Sequence, residues 1–192
     1  MPKVGMEPIR REALVKATIA EIGRAGSLDV TVAQIARRAG MSSALAHHYF
    51  GSKEQIFLAA MRHVLTLYGA EVRGALAAAD GPRGRVVAVI RAGFSTSSFR
   101  RENVGAWLNF YVLSQTNAEV ARLLRIYQNR LQSNLTQALR PLVADRAPAV
   151  ARGLGAMIDG VYIREALKGG TPDGAAASRL VEDYLARELG EK

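Results

Sequence analysis

The stretch TVAQIARRAGMSSALAHHYFGSK, residues 31–53, decides the fold. Thr31 can accept a backbone N–H as an N-cap, and Val32, Ile35 and Ala36 follow at helical spacing, so a short amphipathic helix starts there. Arg37 and Arg38 occupy its last turn, where cations suit the helix dipole, and Gly40 follows where a sharp turn needs a left-handed residue. Ser42 or Ser43 can cap a second helix running through Ala44, Leu45, Ala46, His47, His48, Tyr49 and Phe50, with Leu45 and Phe50 expected to face inward. Small Ala36, four residues before Gly40, lets the two helices cross closely. Short helices joined by so tight a turn make a helix-turn-helix, whose second helix is the candidate for the DNA major groove.

Outward from this stretch, residues 9–25 predict a long helix with Ile9, Ala13, Leu14, Ala17, Thr18 and Ile22 near one face and Gly26 as its stop. It would buttress the helix-turn-helix. Lys3, Arg10 and Arg11 read either as a basic arm near phosphates or as an ordinary solvated terminus. On the other side, Gly51 breaks the chain, Ser52 caps, and a helix over 52–79 carries Ile56, Phe57, Ala60, Met61, Val64, Leu65, Tyr68 and Val72 at helical spacing. Further helices are expected over 83–99, 102–114, 117–139, 147–168 and 173–189, broken at Thr116-Asn117, Pro141 and the run Gly169-Gly170-Thr171-Pro172. The fold class is all-α with about nine helices, and no strand pattern or internal repeat competes.

The chain has 192 residues and a formal charge of +9, which favours an anionic partner. That charge is spread out, since residues 1–60 hold 8 Lys and Arg against 5 Asp and Glu, an excess of 3. Basicity permits nucleic-acid binding without locating it. With no cysteine, disulfides, thiolate metal sites and cysteine nucleophiles are excluded. The segment MPKVGMEPIRREAL has no apolar signal core, and no later run is long enough to cross a bilayer, so a cytoplasmic protein without a membrane partner is expected. His47 and His48 are neighbours that point apart on a helix, and His63 has no metal-ligand spacing, so no metal is expected. No phosphate-binding glycine loop and no nucleophile elbow occurs, and neither an enzyme nor a cofactor is expected.

The run IARRAGMS, then HYF, then SKEQIF resembles the TetR family of one-component transcription regulators. That resemblance implies an N-terminal helix-turn-helix domain over 1–51 and a larger helical domain over 52–192 that binds a small ligand and dimerises. PKVGMEPIRREALVKAT, AQIARRAGMSS, HHYFGSK, AWLNF and LGAMIDGVYIREAL narrow it to the BetI branch, the choline-responsive repressors of glycine-betaine synthesis. The implied partners are palindromic double-stranded operator DNA, a small cationic effector such as choline, and a second copy of the chain. A TetR-like sensor of another small molecule and a constitutive architectural DNA binder are the alternatives.

For DNA contact the resemblance points to Thr31, Ser42, Ser43, Ala44, His47, His48, Tyr49 and Lys53. Thr31 and Ser42 are also helix caps, and Tyr49 is also a core aromatic with a wet hydroxyl. Lys53 opens a helix, where the dipole disfavours a cation and a facing phosphate would suit it. Phe50 reads as hydrophobic cement, and Arg38 as a secondary backbone contact or a solvated charge. His47 stands where many TetR-like sequences carry Tyr, so the usual phosphate contact from that ring need not exist, and a His can bond phosphate or a base edge instead.

In the C-terminal part Trp107, Phe110 and Tyr111 share a helical face. They can form core or an aromatic cage, and aromatic faces hold a quaternary ammonium at about 0.5 to 2 kcal/mol per contact. Asp159 sits in apolar GLGAMIDGVYIREAL with no Lys or Arg three or four residues away. If buried, it needs a partner across space: a ligand cation or an Arg from elsewhere. Tyr162, one turn on, would complete an aromatic wall or belong to a subunit interface. Gly155, Ala156 and Gly160 suit the close helix packing of a dimer.

Overall fold

Residues 5–191, the part described by this computed structural model, form nine α-helices and one 3-10 turn, with no strand among them. The helices are α1 (Met6–Ala25), α2 (Val32–Arg38), α3 (Ser43–Phe50), α4 (Lys53–Ala77), α5 (Gly81–Gly93), α6 (Arg101–Leu113), α7 (Ala118–Val143), α8 (Ala147–Leu167) and α9 (Gly174–Glu188). The 3-10 turn, Ala144–Arg146, joins α7 to α8. The all-α expectation holds. No helix among the described residues is long and apolar enough to cross a membrane.

Several boundaries differ from the sequence reading for identifiable reasons. The fifth helix stops at Gly93 instead of residue 99, because Ser95 and Ser98 turn the chain: the Ser98 N–H donates to Ser95 Oγ at 3.3 Å. Serine side chains that bond nearby backbone compete with the helix ladder. Conversely α7 continues through Pro141, expected as a break, to Val143. A proline in the last turn removes one backbone bond, and the burial of Ala138 and Leu139 just before it outweighs that loss.

The chain divides into two compact units. One comprises the described residues up to Leu65 with Arg100–Arg122, the other Thr66–Phe99 with those from Leu123 on. In the first, Leu14, Ile22, Val30, Ile35, Ala36, Ala46, Ile56 and Phe57 form the core, each at most 5% exposed. Helices of seven and eight residues such as α2 and α3 are unstable alone. They persist because each large apolar side chain in this core contributes roughly 1.5–3 kcal/mol.

Helix α6 joins the same unit by lying against α1. The approach is close enough that a Cβ added to Gly23 would stand 2.3 Å from Glu102 Cα, and one added to Gly105 would stand 3.1 Å from Gly23 Cα. Only two glycines let these backbones meet.

The second unit holds the later half of α4, most of α7, and α5, α8 and α9. Its core runs through Val86, Val89, Ile90, Leu135, Leu139, Leu154, Ile158, Val181 and Leu185, all at most 2% exposed. Arg83–Glu191, Arg91–Glu182 and Arg146–Glu188 pair at its surface, where such bridges contribute little.

Candidate nucleic-acid interface and ligand residues

Local chemistry shapes the helix-turn-helix as its sequence suggests. Thr31 and Gln34 form a reciprocal capping box: the Gln34 N–H donates to Thr31 Oγ1 at 3.1 Å, and the Thr31 N–H donates to Gln34 Oε1 at 2.7 Å. Ser42, not Ser43, caps α3, its Oγ accepting the Leu45 N–H at 3.2 Å. Between them Gly40 has φ 67°, and the Met41 N–H returns to the Ala36 carbonyl at 2.8 Å. The Ser52 hydroxyl accepts the Gln55 N–H at 3.3 Å where α4 begins.

The inward face of α3 differs from the expectation that Leu45 leads it. Ala46 is fully buried, and Tyr49 and Phe50 pack partly buried on the same core, three and four residues on. Leu45 is only half-buried. Ala46 packs in the same core cluster as Ala36 of α2, so a small residue fills the centre of this face. On the opposite face Ala44, His47 and His48, also at three and four residues, are exposed, and Ser43 lies half-buried beside them.

The His47 ring is oriented by Nδ1, 3.1 Å from the Gly51 carbonyl. A carbonyl only accepts, so Nδ1 carries a proton, and in the neutral ring Nε2 is left as an acceptor for a donor on a base edge. His48 makes an edge contact with Tyr49, ring centres 5.5 Å apart.

Arg10 and Arg11 hold this helix in place. Arg11 Nη1 donates to the Tyr49 carbonyl, and its guanidinium lies 4.6 Å from the centre of the Phe50 ring. Arg10 Nη1 donates to Tyr49 Oη at 3.4 Å. Lys3 lies outside the described residues. Lys53 is half-buried with Nζ 5.3 Å from the Phe57 ring centre, so a ring face offsets the unfavourable dipole at the start of α4.

Arg38 is exposed yet ion-paired: its Nε donates to Glu21 Oε1, and the other oxygen of Glu21 accepts from Arg24 at 2.7 Å. The Glu21 side chain is 7% exposed. Sequence spacing could not pair residues 17 apart, although a glutamate on the apolar face of α1, beside Leu14, Thr18 and Ile22, signals that some cation must meet it. Hydrogen bonds from Arg38, then Arg24, hold the Glu21 carboxyl below its usual value despite burial. A carboxyl depressed in the folded state stabilises above its unfolded pKa, and that contribution is lost as pH falls through the folded pKa. In urea titrations across pH, Glu21→Gln is therefore expected to be less stable than the parent at neutral pH, with the gap closing towards acid; a constant gap would refute the ionic role.

The proposed ligand residues fall in different units. In the first, Trp107 and Phe110 are buried and Tyr111 half-buried. The Trp107 ring meets Phe110 edge-on at 5.7 Å and stacks with Tyr111 at 6.0 Å. In the second, Tyr162 is buried, stacks on Phe99 at 5.2 Å and donates its hydroxyl to the Ser98 carbonyl at 2.9 Å. Burial raises the pKa of that hydroxyl. Asp159 is half-buried and its Oδ1 accepts the Tyr127 hydroxyl at 2.7 Å. Tyr127 carried no sequence signal, since it stands on α7, 32 residues away.

Comparison with known proteins bears on both regions. Residues 14–60 match the model for bacterial regulatory proteins of the tetR family, and residues 82–190 match that for the BetI-type transcriptional repressor C-terminal region. The HTH-type transcriptional regulator BetI of Brucella anthropi is 54% identical, with 100% of each chain covered. Its counterpart in Rhizobium meliloti is 51% identical over 98% of this chain and 94% of its own. A putative transcriptional regulator from Saccharomonospora viridis, solved in complex with choline, superposes with TM-score 0.81 at 23% identity, covering 91% of this chain and 94% of that one.

Proposed function

Because the chain belongs to the BetI-type branch of the TetR family of transcriptional regulators, we propose that it controls glycine-betaine synthesis genes as a cytoplasmic homodimer on a palindromic operator, with choline as effector. It is a DNA-binding repressor and not an enzyme. The observation that carries the DNA half is the exposed Ala44, His47 and His48 face, presented by a helix whose other face is built into the core. Two such helices would read successive major-groove half-sites, about 34 Å apart. Ser43, Ala44, His47 and His48 then face base edges, while Thr31, Ser42, Tyr49 and Lys53 meet phosphates.

For the effector, support comes from the choline held by the related fold of Saccharomonospora viridis and from this chain's aromatic and acidic groups. Each unit offers candidates, Trp107, Phe110 and Tyr111 in the first, Asp159 and Tyr162 in the second. Helix α4 starts directly after the recognition helix and continues into the second unit, so a ligand that prefers one setting of α4 shifts the population of DNA-binding states.

Calorimetric titration with choline, followed by operator binding with and without choline at fixed salt, tests the proposal. Binding together with a changed operator affinity is the expected result. Operator binding that ignores choline would leave a repressor with another effector, or none. Lys53→Ala is expected to weaken binding to all sequences and to reduce the slope of log K against log salt by about 0.9 per lysine. An unchanged slope would remove Lys53 from the contacts.

A further inference from the structure

We infer that Tyr68 and Tyr127 join Asp159 in holding the quaternary ammonium group of the effector, an assignment that rests on the choline reading above. All three lie within the second unit, on α4, α7 and α8. The Tyr127 hydroxyl donates to Asp159 Oδ1 at 2.7 Å, and the Tyr68 and Tyr127 rings meet edge-on with centres 5.6 Å apart. A carboxylate thus stands beside a pair of tyrosine rings whose mutual angle of 61° presents one face and one edge. Tyr127 is buried, so its orientation is fixed, and the Tyr68 hydroxyl oxygen is buried as well, while Asp159 is half-buried.

The chemistry of this group selects its ligand. A trimethylammonium head has no N–H to donate, so it gains from negative potential and from ring faces. An ammonium or guanidinium would instead need several acceptors around it. The potential at Tyr68 is negative: after burial, the charges of Asp159 and Glu71 are what push its hydroxyl well above the usual tyrosine pKa. Glu71 lies one turn beyond Tyr68 on α4 and accepts from the Ser97 hydroxyl at 3.0 Å. Two carboxylates and two rings favour a cation and disfavour a ligand with its own carboxylate, such as glycine betaine. Tyr68 is also placed to matter mechanically. It lies on α4, the helix that begins at Lys53, 15 residues further along the chain.

The test is calorimetric titration of the full chain with choline and, separately, with tetramethylammonium, which carries only the cationic head. Asp159→Asn should weaken both by about tenfold or more. Tyr68→Leu should weaken both by roughly 2- to 30-fold, the range of one cation–π contact, whereas Tyr68→Phe should stay within about twofold. Thermal unfolding of each variant checks that the fold is kept, and the Leu and Phe pair at Tyr68 decides the matter if Asp159→Asn fails to fold. Choline bound equally by the parent, Asp159→Asn and Tyr68→Leu would overturn this site and leave the choline reading intact. Tetramethylammonium bound by the parent and lost in Asp159→Asn, with choline ignored, would uphold the site and sink choline as effector. Neither cation bound would overturn both.

Discussion

Replacing Gly23 by alanine will destabilise the first unit by roughly 3 kcal/mol or more, the upper end of what overpacking costs. The new Cβ would stand 2.3 Å from Glu102 Cα and 2.8 Å from Glu102 Cβ, and a backbone atom cannot step aside as a side-chain tip can. The two helices must separate, which opens the contact between α1 and α6 and exposes residues such as Ala106 that are buried in this unit. Gly105→Ala, with its nearest atom at 3.1 Å, should cost less. Gly74 in α4 supplies the control, because a Cβ there meets nothing within 4 Å. An exposed helix-interior glycine disfavours the helix relative to alanine, so Gly74→Ala should be neutral or stabilising by up to about 1 kcal/mol. Urea unfolding of the three variants measures this; equal midpoints for Gly23→Ala and Gly74→Ala would show that α1 and α6 do not meet as described.

The largest functional effect is expected from a carboxylate on the outer face of α3. Ala44 is exposed, so Ala44→Glu should leave stability within about 0.5 kcal/mol. It would place a negative charge on the face proposed to meet the major groove. Operator affinity should fall by about 5- to 150-fold per half-site, since a lost or repulsive base contact costs about 1–3 kcal/mol. Ala46→Glu should do the opposite: Ala46 is 0% exposed, and an unpaired buried carboxylate would unfold the head. Two alanines two positions apart thus separate reading DNA from holding the reader. Fluorescence anisotropy with operator DNA, beside thermal unfolding, measures both; an unimpaired Ala44→Glu would move the interface elsewhere.

Much of this was legible in the residues. Capping chemistry is local, so Thr31, Ser42 and Ser52 announced three helix starts, and Gly40 the turn, from their immediate neighbours. The family resemblance, not periodicity, pointed to Ala44, His47 and His48 for DNA contact, and the pattern turned Leu45 and Phe50 inward without naming Ala46, which is fully buried. Residue spacing could not say which side chain of α3 lies at the centre of the core, because that depends on the helices packed around it.

The sequence by itself determined an all-helical chain with a helix-turn-helix near its start, and its motifs carried the family. Those features arise from interactions among residues within about four positions of one another. Only the tertiary structure decided what meets across longer separations: Arg38 with Glu21, Arg11 with Tyr49 and Phe50, Tyr127 with Asp159, and Gly23 with Glu102. None of these pairs is encoded in a local pattern. Each exists because packed helices bring distant faces together, and there a buried charge or a missing Cβ finds its reason.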